Sequence, residues 1–181
     1  MPFGVQGNNQ TQKIMRKIFI LFATAALFAA CETQPVRYAS SSPEIDIYLS
    51  TFQNFVDGEW NVMRSHYADT AMIFDNATRN NGETIDQVLA RLRENRELFS
   101  SQYFLPEEQF IEMVVTDDGE TWVNYWGVWV GVLAATDQRF ETPIHFTAQF
   151  VDGKIVREHG YYDNSSVILA LQGLGSSAPE E

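Results

Sequence analysis

Two Asp-Gly turns frame the second half of this chain and constrain its fold more than any other feature. Asp117-Asp118-Gly119 separates residues 109–116 from residues 121–134, and Asp152-Gly153 separates residues 139–151 from residues 154–162. Segments rich in β-branched and aromatic residues, joined by such turns, predict hairpins. Four consecutive segments therefore read as an antiparallel meander. Residues 121–134 (TWVNYWGVWVGVLA) carry large side chains at both parities, which predicts a strand covered by protein on both faces.

The first half has a different period. Ile45, Tyr48, Leu49, Phe52 and Phe55 or Val56 recur at three-to-four spacing, which predicts an amphipathic helix opened by Pro43 and stopped at Asp57-Gly58. Residues 60–67 predict a second short helix with Trp60, Met63 and Tyr67 on one side. A strand follows at residues 71–75 (AMIFD), then a turn at Asn80-Asn81-Gly82. A third helix is expected over 83–99, with Ile85, Val88, Leu89 and Leu92 inward and Arg91, Arg93 and Arg96 among Glu94 and Glu97. A short helix over 164–171 closes the pattern. Helices first and strands afterwards define an α+β class.

Ahead of this domain, residues 15–31 read MRKIFILFATAALFAAC: two cations, an apolar run over 18–28, and two small residues before cysteine. That is the three-part layout of a secretory signal peptide, with Met15 a possible true start. The run is shorter than the roughly 20 apolar residues a membrane-spanning helix needs. Phe28-Ala29-Ala30-Cys31 resembles the lipobox of bacterial lipoproteins, which implies a lipid on Cys31 and residence in the cell envelope. The alternative is an ordinary secretory cut near Ala29 or Ala30. The chain thus divides into a signal at 1–31, a Ser/Pro-rich tether at 32–43, a domain at 44–173 and a disordered tail at 174–181.

Composition narrows the partners. The net charge is −12, and cleavage before Cys31 removes Lys13, Arg16 and Lys17 to leave −15. Such a chain does not select nucleic acid or an anionic membrane surface, so the membrane is reached only through the lipid. The lone cysteine excludes an internal disulfide. There is no phosphate-binding Gly-rich loop, nucleophile elbow or paired-cysteine metal motif. His66, His145 and His159 lack a short-spaced third ligand, so neither a metal nor a cofactor is expected.

Within the domain, Asp57-Gly58, Tyr67-Ala68-Asp69, Gly82, Trp126-Gly127, residues 150–156 (FVDGKIV) and Tyr162-Asp163 resemble, in order and spacing, the SnoaL-like branch of the NTF2-like superfamily. The likeness spans roughly residues 45–172. It implies an α+β cone, a curved antiparallel sheet wrapped around a long helix with a pocket inside. It does not imply a reaction, because the superfamily holds enzymes and binding domains alike.

The resemblance also supplies candidate chemistry. Residues 67–75 (YADTAMIFD) are similar to the ketosteroid isomerase segment that ends in the general base, which makes Asp75 the candidate catalytic carboxylate. Its other reading is a strand-end residue starting a turn. That reaction also needs oxyanion donors, whereas Thr51 stands in place of the donor tyrosine and His145 or Phe146 in place of the acid. Polyketide cyclases imply an acidic base on the last strand, where this chain has His159-Gly160. Asp163 is read as the cap of the closing helix.

Strand alternation groups His145, Thr147 and Gln149, and pairing through Asp152-Gly153 brings them beside Arg157, His159 and Tyr161. This polar face either lines the pocket or lies outside, where it would form a homodimer. The candidate pocket residues are Phe52, His66, Trp126, His145, His159 and Tyr161. The expected function is a non-catalytic pocket for a small apolar molecule. The alternative is a cofactor-free isomerase, cyclase or dehydratase using Asp75 as base.

Overall fold

A computed structural model of the chain describes residues 37–176. The signal segment, Cys31 and residues 177–181 of the expected tail lie outside the described residues. Among those described, no helix is long and apolar enough to cross a membrane.

Helix α1 (Pro43–Asp57) starts where the Ser42 hydroxyl accepts the Ile45 amide at 3.2 Å and Pro43 fills the first turn. It ends at Gly58, whose left-handed φ of 75° lets the chain reverse while its amide reaches back to the last carbonyls. Arg96 donates to Phe55 O and Val56 O at 3.1 and 2.7 Å, satisfying the same helix end from another element. Helix α2 (Trp60–Ser65) follows. Helix α3 (Ile85–Arg96) opens with a reciprocal capping box between Thr84 and Gln87.

The strands are β1 (Tyr38–Ala39), β2 (Tyr67–Asp75), β3 (Glu83–Thr84), β4 (Phe99–Phe104), β5 (Phe110–Val115), β6 (Thr121–Leu133), β7 (Arg139–Val151) and β8 (Lys154–Tyr162). They form one sheet in the order β1-β5-β6-β7-β8-β2-β3, with β4 also paired to β6. Every pairing is antiparallel except that of β2 with β8. Asp152 and Gly153 both have positive φ, the backbone of a type I′ hairpin turn, and lock the β7–β8 register. Helix α4 (Ser165–Ser176) closes the described chain, its first amide held by the Asp163 carboxylate. The architecture is α+β, with the helices set against a curved, unclosed, mainly antiparallel sheet.

Four expectations are corrected. Tyr38 and Ala39, read as tether, pair with Val114 and Met113 of β5. The third helix stops at Arg96, and the following residues, read as its last turn, start a strand against β6. The second helix ends at Ser65, because Tyr67 already pairs with Ile155 of β8. Finally, β6 is not covered on both faces: Trp126 points outward and is 38% exposed.

The core lies between α1 and the inward faces of β6, β7 and β8, and includes Ile45, Tyr48, Val123, Tyr125, Ala148, Phe150 and Ile155. Phe52 stacks on Tyr125 at 4.1 Å and meets Phe104 edge-on at 5.2 Å. A second apolar cluster of Leu133, Phe140 and Val167 fastens α4.

Candidate functional site

A cavity of about 320 Å³ opens beside this core. Its apolar wall comes from α1 (Phe52, Phe55), α3 (Val88, Leu92), β4 (Phe99, Phe104), β6 (Trp129), β7 (Ile144, Phe146) and α4 (Val167, Ile168, Leu171). Ile168 lines the cavity yet is 44% exposed, so one entrance runs beside α4. The polar groups concentrate on β2, α3 and β8.

Asp75 ends β2 facing inward, its side chain 12% exposed, and its Oδ2 accepts from Arg91 Nη2 at 2.9 Å. The same guanidinium nitrogen reaches Glu83 at 2.8 Å. Burial pushes the Asp75 carboxyl above its ordinary range, and Arg91 only partly restores it. Burial acts against the Arg91 cation too, but Glu83 and Asp75 outweigh it and hold the guanidinium firmly charged.

Glu158, inward on β8, is the second carboxyl of the wall. It accepts the Tyr67 hydroxyl at 3.0 Å, and Tyr48 lies close by with its hydroxyl buried and outside ordinary hydrogen-bond geometry. Burial and then the Asp75 charge push Glu158 up to about 8. It is thus mainly protonated at neutral pH and able to donate a proton, beside an Asp75 held by a cation. Burial, followed by Asp75, also pushes Tyr162 up to about 12, keeping it a neutral donor on the same wall.

The register explains this convergence. Asp75 pairs with Gly160 and Ile73 with Glu158, so the inward positions of two parallel strands stand side by side. Gly160 leaves the hollow that Asp75 fills: a β-carbon there would meet Asp75 Oδ1 and Phe146 Cε1, each at 2.5 Å. Position 160 carries no carboxyl, and the inward carboxyl of this strand is Glu158, one inward position earlier.

The expected pocket residues separate. Phe52 lines the cavity. His66 does not; it caps the end of α2, its Nε2 lies 3.2 Å from Asn54 Oδ1 of α1, and burial holds it below its usual pKa. Trp126, His145, His159 and Tyr161 lie on the opposite sheet face, because the pleat gives the inward positions to Ile144, Phe146, Glu158 and Tyr162. There they form a row of rings. Trp126 stacks on His145 at 4.6 Å, Tyr161 stands 6.2 Å from His145 and 6.4 Å from His159, and His159 stacks on Phe74 at 4.8 Å. Thr51 is buried, and its hydroxyl donates to Tyr48 O at 2.7 Å.

Glu158, Arg91, Tyr67 and Tyr162 were not among the candidates. Once Arg157, His159 and Tyr161 share a face, Glu158 must take the other, so alternation could have found it. Arg91 is three residues beyond Val88 and therefore shares its inward stripe. Among the described residues, no three His, Cys, Asp or Glu side chains converge as metal ligands.

The fold is that of the SnoaL-like and NTF2-like proteins. A candidate polyketide cyclase from Xanthomonas campestris is similar over 72% of this chain and 98% of its own, at 16% identity and a TM-score of 0.58. A candidate SnoaL-like polyketide cyclase from Jannaschia matches 82% of this chain and 99% of its own, at 17% identity and a TM-score of 0.58. A protein of ketosteroid isomerase-like fold from Catenulispora acidiphila, in complex with trimethylamine, covers 68% of this chain and 89% of its own, at 15% identity and a TM-score of 0.53. Neither a family model nor a curated protein matches the sequence.

Proposed function

We propose that this is an exported protein, lipid-anchored through Cys31, whose domain binds a small, mainly apolar molecule in the cavity between α1 and the sheet. The carrying observation is the cavity itself: an apolar enclosure of about 320 Å³ with a compact polar group of Asp75, Arg91, Glu158 and Tyr162 on one wall. Enclosed apolar pockets with a few convergent polar groups are the usual form of a small-molecule site. The anchor would hold the cavity at the envelope surface, facing periplasm or exterior. Native mass spectrometry of protein purified from its own source tests the reading, with a co-purifying small molecule as the expected result. Detergent partition tests the anchor: Cys31→Ser should move the protein to the aqueous phase, and retention in the detergent phase would overturn it.

A second reading, cofactor-free acid–base catalysis, is favoured by one specific observation. Asp75 and Glu158 share the wall in unlike environments, one paired with a cation and the other protonated near neutral pH. Such a split divides the roles of base and proton donor. Asp75 would remove a proton next to a carbonyl, and Glu158 would donate to the carbonyl oxygen as the enol forms. The cyclase names of the structural neighbours agree with this chemistry. The check is deuterium uptake by a cyclic ketone in heavy water: wild type should exchange and Asp75→Asn should not. Equal rates with and without protein would leave the binding function alone.

The outer row of rings supports a homodimer formed face to face. Exposed Phe110, Trp126 and Tyr161, with His145 between the last two, make a continuous row of rings across the four strands β5 to β8. Exposed apolar areas of this kind mark interaction sites.

A further inference from the structure

A groove of about 670 Å³ borders β4, α2 and α3, sharing only Phe99 and Gln102 with the cavity wall. Four consecutive residues of β4, Phe99, Ser100, Ser101 and Gln102, line it. Alternate residues of a strand point to opposite faces, so a run of neighbours meets a groove along the strand's edge. Among the described residues β4 pairs with β6 alone, on its other edge. The groove therefore follows an unpaired strand edge. The register agrees. Leu105 N donates to Val128 O, so Leu105, Tyr103 and Ser101 turn their backbone groups to β6, and Gln102 turns its own away.

The facing wall is cationic, in a chain whose net charge is −12. It carries Arg93 and Arg96 of α3, and neither makes an ion pair among the described residues. Arg93 is exposed and lies over the Trp60 ring, its Cζ 5.9 Å from the centroid. Arg96 is held by its Nη1, which donates to the carbonyls at the end of α1. Both guanidiniums are thus fixed by contacts that set no carboxylate against them. Glu97 also lines the groove, without pairing to either arginine.

We infer that this edge docks an acidic, extended segment of a partner protein, which adds to β4 as a further strand and sets carboxylates against Arg93 and Arg96. Main-chain hydrogen bonds to Gln102 supply attachment, and the two cations supply selectivity. The four lining residues span about 13 Å at roughly 3.3 Å each, so the contact takes about four residues of the segment. A second copy of this chain fits the edge poorly, because a two-fold pairing of β4 with itself brings the same cationic patch onto itself.

Fluorescence anisotropy with a labelled, end-capped Val-Glu-Val-Glu-Val peptide, titrated with the full chain at low salt, tests the inference. The analogue with Gln for Glu should bind about three- to tenfold more weakly, the value of one or two exposed ion pairs. Arg93→Gln should remove most of that preference with an unchanged circular-dichroism spectrum. The Gln102 amide should become protected from hydrogen exchange when the Glu peptide is added. Equal affinity for the two peptides, a preference undiminished by Arg93→Gln, or unchanged exchange at Gln102 would overturn the inference. Protection of Gln102 on concentrating the chain alone would give the edge to a second copy and overturn it as well.

Discussion

Gly160 and Asp75 face each other across the β2–β8 ladder so closely that a β-carbon on Gly160 would stand 2.5 Å from Asp75 Oδ1. The inward tilt of Asp75 depends on that missing methyl group.

Gly160→Ala should therefore destabilise the domain by about 1–3 kcal/mol, the usual cost of overpacking a filled site. The added carbon would stand 2.5 Å from both the carboxylate and the Phe146 ring, so these groups must shift to admit it. Chemical denaturation measures the loss. Pairing it with Asp75→Ala should recover part of it, since one of the two clashing groups is then gone.

Stability should fall as pH rises through neutrality. Glu158 has an ordinary value of 4.5 and is pushed to about 8 in the fold. Between these values the unfolded chain has released the proton while the folded chain keeps it, so raising the pH favours unfolding. The penalty is absent below the lower value and complete above the upper one. Buried Asp75, also raised, adds in the same direction. Thermal midpoints measured from about pH 5 to about pH 9 should decline, and Glu158→Gln should flatten most of that decline.

Arg91→Met removes the cation that partly compensates Asp75. Arg91 is about one-third exposed, so solvent screens the pair and the expected loss is about 1–2 kcal/mol, less than for a fully buried bridge. The loss should shrink at acidic pH, where Asp75 protonates and no longer needs a partner. Urea titrations at two pH values would show it. A loss independent of pH would mean that Arg91 acts through packing instead.

Trp126→Glu puts a charge in the outer aromatic row in place of the ring that stacks on His145 at 4.6 Å. Sedimentation should show wild type as a dimer and the variant as a monomer with an unchanged circular-dichroism spectrum. A monomeric wild type would remove the face-to-face dimer.

The pattern of legibility follows the range of the forces involved. Gly58, the Asp152-Gly153 turn and the α1 stripe act over a few residues, and each left a local signature. Strand β4 did not, because FSSQYF follows a charged helical segment without a glycine or proline to mark the break. Its strand character comes from β6, which offers it a bare edge. The parallel pairing of β2 with β8 is equally non-local, since a period of two reveals faces but not neighbours. Without it, Asp75 and Glu158 look unrelated, and the last strand shows only Gly160 where an acid is expected. The outer placement of His145 and His159 is not legible for a related reason: alternation separates the two faces without saying which one α1 covers.

The β2–β8 pairing also sets a timetable. Asp75 and Glu158 are 83 positions apart in the chain, and β8 is the last strand of the sheet. A polypeptide made from its N-terminus holds Asp75 and Arg91 long before Glu158 exists, and β2 meanwhile keeps a bare edge able to pair with other chains. Closing that edge requires a contact of high sequence separation, the slow kind in folding. Any product cut short before residue 154 would lack one carboxyl of the acidic wall and expose a sticky edge at the same time. Completion of the site and protection from aggregation are therefore one event, made by the same strand.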